Sequence, residues 1–422
     1  AWKTDYGARV TIRLDGHPFA KAVLYGDETL LTLEPGDTVS GTARWNDAAQ
    51  VADTRLTTFT SKGIYALLYA RGELDVTAGS SNSLRWCLPQ RAGLAFQEKI
   101  RAIWDDPRTA GIISAELTGS KYDIADEDYL VMRGAGLAHL FAVSGLHCAF
   151  LVTLLALLLP RSRRRLFCGV TICVLLFYMN MVGLSPSVVR ACIMQIALLL
   201  APLFRRDSDS FTSLGMALLV ILLGNPFAAA SISFQLSFAA TFGIVILSGR
   251  LYRLFFDWYQ GKNKHVRRVL AFAGANLAVS LSATICTVPL VAYYFNTLSL
   301  VSPLANLLAV PVAGYGFMAS FVTVLAGFVW LPAARVLGWA AHAVLWIAWV
   351  LTRWRYHAVY FDNHYLRLWM VGTYLSFSLC AAVKKWRKRK YLIALLATVL
   401  TLALAIWSNT LVYRAGNMNV AG

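Results

Sequence analysis

Charged residues are scarce in this 422-residue sequence. Only 14% of its residues are Asp, Glu, Lys or Arg, whereas 58% are hydrophobic. A soluble globular chain carries about 25% charged residues. The composition therefore argues against an ordinary soluble protein and predicts a membrane protein.

Acidic residues are the scarcer of the two charged classes. The sequence has 22 Asp and Glu against 39 Lys and Arg, which gives a formal net charge of +17. Such an excess is typical of proteins that bind nucleic acid or anionic lipid. Most of it is better explained by topology, because membrane proteins keep Lys and Arg in their cytoplasmic loops.

Motifs for nucleotides, metals and disulfides are missing. The sequence contains no GxxxxGKS or GxxxxGKT, no GxGxxG that opens a helix, and no HxH or HExxH pair. Its seven cysteines form no CxxC pair, and all except Cys87 lie in apolar segments. They are typical of small membrane hydrophobes and not of ligands. We expect no cofactor and no metal in this chain, and an energy source outside it.

Residues 1–85 are more polar than the rest and contain short alternating segments. Strands are predicted at 10–14, 21–25, 38–41 and 64–69, with Gly- and Pro-containing turns between them. About five such strands fit a small barrel of the OB type. Four aromatic residues are candidates for a face on which DNA bases stack. They are Trp45, Phe59, Tyr65 and Tyr69. The alternative is that these aromatics fill the barrel core.

Residues 86–130 predict an amphipathic helical connector. Phe96, Ile100 and Ile103 form one apolar stripe, and Pro107 is placed to open a second helix. We expect this helix pair to lie in the membrane interface.

Residues 131–410 predict a transmembrane domain of about ten spans. The candidate spans are 140–159, 166–183, 187–204, 211–224, 230–248, 269–292, 303–330, 336–352, 367–383 and 391–408. Residues 411–422 look like the start of a further C-terminal domain. The predicted fold class is thus a polytopic α-helical membrane protein with a small N-terminal all-β, OB-like domain.

Basic clusters predict the orientation of these spans. They follow the first, third, fifth and ninth spans, at 161–165, 205–206, 250–268 and 384–390. Alternating spans place all four clusters on one side, which is therefore cytoplasmic. The N-terminal β domain and the C-terminal end are then expected outside the cytoplasm.

Polar residues occur where lipid cannot solvate them. His139, Ser144 and His147 lie at the start of the first span, and Ser144 and His147 are close enough in sequence to touch. Gly145 between them is predicted to let the helix bend or pack closely. A Ser–His pair also suggests an intramembrane serine hydrolase, but no acidic residue in the spans is available to orient the base.

Three further polar residues lie in later spans. Arg190 either snorkels to the helix end or faces an aqueous path in which it meets anions. Gln235 and Asn306 lie in apolar runs. Pro303 and Pro311 predict a broken or re-entrant segment around Asn306, and Pro289 predicts another interruption. Broken helices and polar residues together favour a transport path over simple helix packing.

Four segments resemble the signatures of the ComEC family, the DNA-uptake channels of bacterial natural transformation. They are GLAHLFAVSGLH at 136–147, SPSVVRA at 185–191, FQLSF at 234–238 and SPLANLLAVP at 302–311. The resemblance implies a channel that passes one DNA strand into the cytoplasm, and an extracytoplasmic OB domain. It also implies a metallo-β-lactamase-like nuclease domain, which this sequence does not contain, so no enzymatic activity is expected here.

The predicted function is an inner-membrane channel for single-stranded DNA. His139, Ser144, His147, Arg190, Gln235 and Asn306 are the candidate channel residues. The expected partners are single-stranded DNA, the lipid bilayer, a cytoplasmic motor ATPase or helicase, and a DNA receptor of the competence machinery. The alternatives are a small-solute or anion transporter and an intramembrane serine hydrolase.

Overall fold

A computed structural model describes most of the chain as a β domain followed by a helical domain. It covers residues 2–4, 7–15, 17–50, 57–72, 74–79, 87–120, 124–134, 136–140, 143–159, 163–256, 263–295, 297–299, 302–352, 358–360, 369–374, 400–401 and 407–408. The predicted fold class, a polytopic helical protein with a small N-terminal β domain, is confirmed.

The β domain is built on a five-stranded sheet. Its strands are β1 (Trp2–Thr4), β2 (Gly7–Leu14), β3 (His17–Gly26), β5 (Ala43–Asp47) and β6 (Ile64–Ala70), in the order β1-β2-β3-β6-β5. β3 and β6 are parallel, and the other neighbours are antiparallel. β4 (Thr38–Ser40) and β7 (Asp75–Thr77) form a separate pair. The four predicted strand positions are therefore confirmed.

Both faces of this sheet bury apolar side chains. Val23, Ile64 and Leu67 pack in one cluster, whereas Leu24 and Leu30 pack in another. Consecutive residues of a strand point to opposite faces, which is why Val23 and Leu24 belong to different clusters.

The helical domain follows from residue 88. Its helices are α1 (Leu88–Ile103), α2 (Pro107–Thr118), α3 (Asp126–Gly134), α4 (Gly145–Leu158), α5 (Arg164–Val182), α6 (Pro186–Leu200), α7 (Ser210–Gly224), α8 (Ile232–Phe256), α9 (Lys264–Phe295), α10 (Ser302–Val329) and α11 (Leu331–Thr352). A short strand pair, β8 (Thr297–Ser299) with β9 (Ala358–Tyr360), connects the two ends of the α10–α11 segment.

Five helices in the described part of the chain are long and apolar enough to cross a membrane. They span Arg164–Val182, Pro186–Phe204, Ile232–Leu254, Lys264–Phe295 and Ser302–Val329, while α4 and α7 are shorter apolar helices. Leu223, Val269 and Val329 are 67–89% exposed, an outer surface suited to lipid contact. Most of the two predicted spans at 367–383 and 391–408 lies outside the described residues.

The connector helices are more deeply packed than expected. The stripe of Phe96, Ile100 and Ile103 is buried in the main helical core, where it meets side chains of α5 and α10. α2 begins at Pro107 as predicted, but residues on every side of it are buried. The prediction of a helix pair lying in the membrane interface is thus wrong for α2, because neighbouring helices surround it.

The predicted break between Pro303 and Pro311 is also wrong. α10 runs without interruption from Ser302 to Val329. Pro303 falls in the first turn, where a missing N–H removes no helical hydrogen bond. Only Pro311 lies in the helix interior, so one proline in this segment removes a helical hydrogen bond, instead of two.

α9 likewise continues past Pro289, where an interruption was predicted. Proline cannot donate to the carbonyl four residues earlier, which belongs to Ile285. The hydroxyl of Tyr374 donates to that carbonyl instead. A side chain from a distant segment therefore satisfies the group that Pro289 leaves free, as a helix in lipid requires.

Polar contacts from Asn225 and Arg91 hold the β domain against the helices. The amide of Asn225, after α7, donates to the carbonyls of Thr60 (3.1 Å) and Ser61 (3.3 Å). Arg91 of α1 donates to the carbonyl of Pro35 at 2.9 Å and pairs with Glu34 at 3.1 Å. The β domain is thus fixed at two separate points along the helical domain.

The close approach of α8 and α9 depends on a glycine. A Cβ on Gly243 would lie 2.4 Å from the carbonyl oxygen of Ser282, whereas nothing lies within 4 Å of a Cβ on Gly249. We predict that Gly243→Ala lowers the free energy of unfolding by about 1–3 kcal/mol through overpacking. Gly249→Ala in the same helix should leave it unchanged or raise it by about 0.5–1 kcal/mol. Thermal unfolding in detergent tests this, and equal melting temperatures for the two variants would contradict it.

Candidate functional site

The candidate site lies at the N-terminal end of α4. Ser144 caps this helix, and its hydroxyl accepts the N–H of Leu146 at 3.3 Å. His147 reaches back, and its Nδ1 accepts the N–H of Ser144 at 3.2 Å. This is a capping box in which His replaces the usual Glu or Gln. The predicted contact between Ser144 and His147 is confirmed, with 3.2 Å between Oγ and Nδ1.

Gly145 allows Arg190 of α6 to approach the start of α4. A Cβ at this position would lie 2.9 Å from Nη2 of Arg190 and 3.2 Å from Cβ of Ala191. Any larger residue would displace the guanidinium or separate the two helices. The close packing predicted for Gly145 is therefore confirmed, and its partner is a cation.

Arg190 is buried and hydrogen-bonded to hydroxyl groups. Its side chain turns inward and is 8% exposed, so the snorkelling alternative is wrong. Nε donates to Oγ of Ser237 at 2.9 Å, and Nη1 donates to Oγ1 of Thr241. Ser237 in turn donates to Ser187 at 3.0 Å. α4, α6 and α8 thus meet at one guanidinium.

The electrostatics of this cluster are unbalanced. No carboxylate pairs with Arg190 among the residues that the structure describes, and Nη2 makes no hydrogen bond to them. The nearby end of α4 is its N-terminus, which carries partial positive charge. Two positive groups that face one another inside a membrane protein make a site that favours an anion.

Two further predicted channel residues, Gln235 and Asn306, contact α9 at separate levels. Gln235 accepts a hydrogen bond from Tyr294 at 2.8 Å and donates to the carbonyl of Ala229 at 3.0 Å. Asn306 donates to Ser280 at 3.0 Å, while its Oδ1 is buried without a partner. Ser280 and Tyr294 are 14 residues apart on α9, or about 21 Å along its axis.

His139 lies in a short 3-10 turn before α4. Its ring contacts the carbonyl of Gly136 at 3.2 Å, and the side chain is exposed. The structure thus brings Ser144, His147 and Arg190 together and places Gln235 and Asn306 with α9. Thr241 was missed in the sequence, although its position one helical turn after Ser237 was a usable signal.

The described side chains do not form a metal site. No three His, Cys, Asp or Glu residues among them lie close enough to hold an ion.

The four aromatic residues of the β domain do not form one face. In the β5–β6 register Trp45 lies opposite Leu68, whereas Tyr69 lies opposite Arg44. Trp45 and Tyr69 therefore point to opposite sides of the sheet. Phe59 packs against a core cluster, and Tyr65 donates to Asn225 at 3.4 Å. The prediction of a shared stacking face for all four is wrong, and the alternative of a core role holds for Phe59 alone.

Tyr69 instead belongs to a row that crosses four strands. Tyr25 pairs with Tyr69, and their rings stack with centroids 5.1 Å apart. Arg9 lies beside Tyr25 on β2, and Arg44 lies beside Tyr69 on β5. Because directly paired residues share a face, these four side chains form one row, here called the Arg–Tyr row. Arg9, Tyr69 and Arg44 are exposed.

Fold and site together define a multi-pass helical membrane protein with an N-terminal β domain and a buried cation. The family profile described as Competence protein matches residues 117–390. The chain belongs to this competence protein family.

Individual relatives match about half of the chain. ComE operon protein 3 of Bacillus subtilis (strain 168) is 31% identical over 213 residues, which cover 49% of this chain and 25% of that protein. Competence protein ComA of Neisseria gonorrhoeae is 28% identical, with 48% and 28% covered. Uncharacterized protein YcaI of Escherichia coli (strain K12) is 29% identical, with 49% and 27% covered. The chain thus spans about a quarter of the length of these relatives. No solved structure matches it significantly.

The site predicts an unusual response to removal of Arg190. A buried cation without a carboxylate partner contributes little to stability, and an apolar residue of similar size often replaces buried charges without loss. We predict that Arg190→Met leaves the melting temperature in detergent unchanged or raises it. Arg164→Met, at the exposed start of α5, is the matched control and should also be neutral. A loss of about 3–5 kcal/mol for Arg190→Met alone would instead show that the guanidinium is a structural element.

Proposed function

We propose that this chain is the membrane part of a DNA-uptake system and passes single-stranded DNA across the bacterial inner membrane. Membership of the competence family supports a role in DNA uptake, and one similar protein is named a competence protein. The observation that carries the proposal is the Arg–Tyr row, because this arrangement of side chains suits a single nucleic-acid strand.

The chemistry of the row matches the two parts of a nucleotide. Stacked tyrosines offer ring surfaces to bases of any sequence, and each base stacked on an aromatic ring contributes about 1–3 kcal/mol. Arg9 and Arg44 flank the tyrosines and supply positive charge for phosphates. Neighbouring strands are about 4.8 Å apart, so the row extends about 14 Å across the sheet.

Arg190 provides a second positive site, deep in the helical domain. Its free Nη2 and the start of α4 form a place where a phosphate is stabilised as the strand passes. Ser144 and His147 hold the helix end in position, and Ser187, Ser237 and Thr241 hold the guanidinium. A phosphate does not enter a dry apolar space, so the path past Arg190 is hydrated during transport.

The orientation and the partners belong to the same proposal. The β domain acts as an OB-like module outside the cytoplasm and delivers the strand to the helices, to which Asn225 and Arg91 fix it. A DNA receptor hands DNA to this domain, and a cytoplasmic motor ATPase or helicase draws the strand inward. Hydrolysis of the other strand is assigned to a different domain.

A transporter of small anions is the second candidate. The buried Arg190 favours it, since one guanidinium beside a helix N-terminus also suits a free inorganic anion. The Arg–Tyr row favours DNA, because a small anion has no base that could stack on the tyrosine rings. The structure does not support the hydrolase alternative, because the Ser144 hydroxyl caps the N-terminus of α4.

The Arg–Tyr row predicts a face-specific loss of DNA binding. Tyr69→Ala should weaken binding of a labelled single-stranded oligonucleotide to the purified chain by about 5–150-fold, through the loss of base stacking. Arg44→Ala should reduce the slope of log affinity against log salt by about 0.7. Trp45→Ala is the matched control, since Trp45 is even more exposed than Tyr69 but lies on the other face. Fluorescence anisotropy measures all three, and equal losses for Trp45→Ala and Tyr69→Ala would contradict the proposal.

Uptake in the host separates transport from binding. Arg190→Met should bind oligonucleotide like the unaltered protein, but labelled DNA should fail to reach the cytoplasm, because the second phosphate site is missing. Arg164→Met, with the same loss of charge at an exposed position, should support normal uptake. Normal uptake by a correctly inserted Arg190→Met protein would remove Arg190 from the DNA path. Loss of inorganic anion flux with unchanged DNA uptake would favour the second candidate.

A further inference from the structure

A buried carboxyl group lies in α2, away from the residues assigned to DNA. Glu116 is 4% exposed, and its Oε2 has no hydrogen-bond partner. Its neighbours Ile113 and Leu117 are fully buried in the main core. Replacing a carboxyl group here by an apolar residue would remove an unsatisfied polar atom, so packing does not explain its presence.

A second buried polar group without a partner, the hydroxyl of Tyr178, lies on α5. Tyr178 is 2% exposed, its hydroxyl also lacks a partner, and it lies within electrostatic reach of Glu116. The packing of α2 on α5 is tight at this level, where a Cβ on Gly119 would lie 3.1 Å from Val182. Glu116 lies three residues before Gly119, and Tyr178 lies four residues before Val182.

The groups that surround this pair in the described part of the chain are mostly neutral, and the nearest cation among them, Arg190, acts on the Cys148 thiol. α1 contributes the amide of Gln97, which donates to Thr118 at 3.2 Å, and α2 itself contributes Ser114. Beyond Tyr178 lie the thiols of Cys148 and Cys192, whose sulfur atoms are 3.7 Å apart. No lysine or arginine forms an ion pair with Glu116 there. An ionised Glu116 would therefore be an unpaired buried anion, which is strongly unfavourable.

We propose that Glu116 and Tyr178 form a proton-binding site in the helical core. The ligand is a proton, which Glu116 carries and which the Tyr178 hydroxyl stabilises through a bridging water. On release the proton passes to water and leaves a carboxylate. This site is distinct from the proposed phosphate site at Arg190, and it stands whether or not the chain transports DNA.

The environment sets the pH range of the site. Burial raises the pKa of Glu116 to about 8. In an unfolded chain the pKa of a Glu is about 4.3, so between these values the folded protein holds an extra proton. Stability is then highest below about pH 4 and declines as pH rises toward about 8. Gln is a neutral mimic of the protonated form and should abolish this decline.

Infrared spectroscopy of the detergent-solubilised full chain tests the proposal. The unaltered protein should show a carboxylic-acid C=O stretching band at neutral pH that disappears above about pH 8. Glu116→Gln should lack this band, and its melting temperature should not fall between about pH 5 and pH 8. Glu98→Gln, on the exposed face of α1, should behave like the unaltered protein. Tyr178→Phe should keep the band but shift it, because one hydrogen bond to the acid is lost.

Persistence of the band in Glu116→Gln, or its absence from the unaltered protein, would overturn the proposal. If Glu116→Gln does not fold, a second experiment uses the unaltered protein. It is labelled with an apolar carbodiimide, which reacts with protonated carboxyl groups. An adduct on Glu116 at neutral pH whose yield drops by about tenfold one pH unit above the pKa supports the site. The absence of that adduct, or a yield independent of pH, overturns it.

Discussion

The burial of the Arg190 guanidinium against Gly145 is the constraint on which the proposed DNA path depends. It requires a glycine at the first residue of α4 and an inward-pointing arginine on α6. It also requires hydroxyl groups on α8 that accept hydrogen bonds from the guanidinium. A buried charge is tolerated only when such partners surround it. The Ser144–His147 capping box fixes the end of α4 at the level of the guanidinium. Three helices are thereby held around a cation that lacks an anion.

The β domain also presents arginine side chains, and there they are exposed. Its sheet register places two stacked tyrosines between two arginines, and polar contacts hold the domain against the helices. A strand bound on the sheet would thus meet base-stacking rings and charge first, and a buried charge later. In the proposed path neither site would read base identity, which suits DNA of any sequence.

Local patterns predicted much of this structure. Strand positions, the start of α2 at Pro107 and five long apolar helices follow from periodicity and turn residues close in sequence. The Ser144–His147 contact follows from their spacing. The continuity of α9 did not follow, because the partner of the carbonyl freed by Pro289 comes from Tyr374, far along the chain. The division of Trp45 and Tyr69 between two faces depends on strand register, which a single strand does not specify. Glu116 was missed because its burial on every side depends on the packing of separate helices.

If DNA passes Arg190 on its way inward, photocrosslinking during uptake captures it there. A photoreactive residue would replace Ser237, which contacts the guanidinium, and in a second protein Leu223, which is 76% exposed on the apolar outer surface. Both proteins would be given labelled DNA in the native host and illuminated while uptake proceeds. We predict a DNA adduct at position 237 and none at position 223. Equal crosslinking at the two positions, or an adduct at 223 alone, would contradict a DNA path at Arg190.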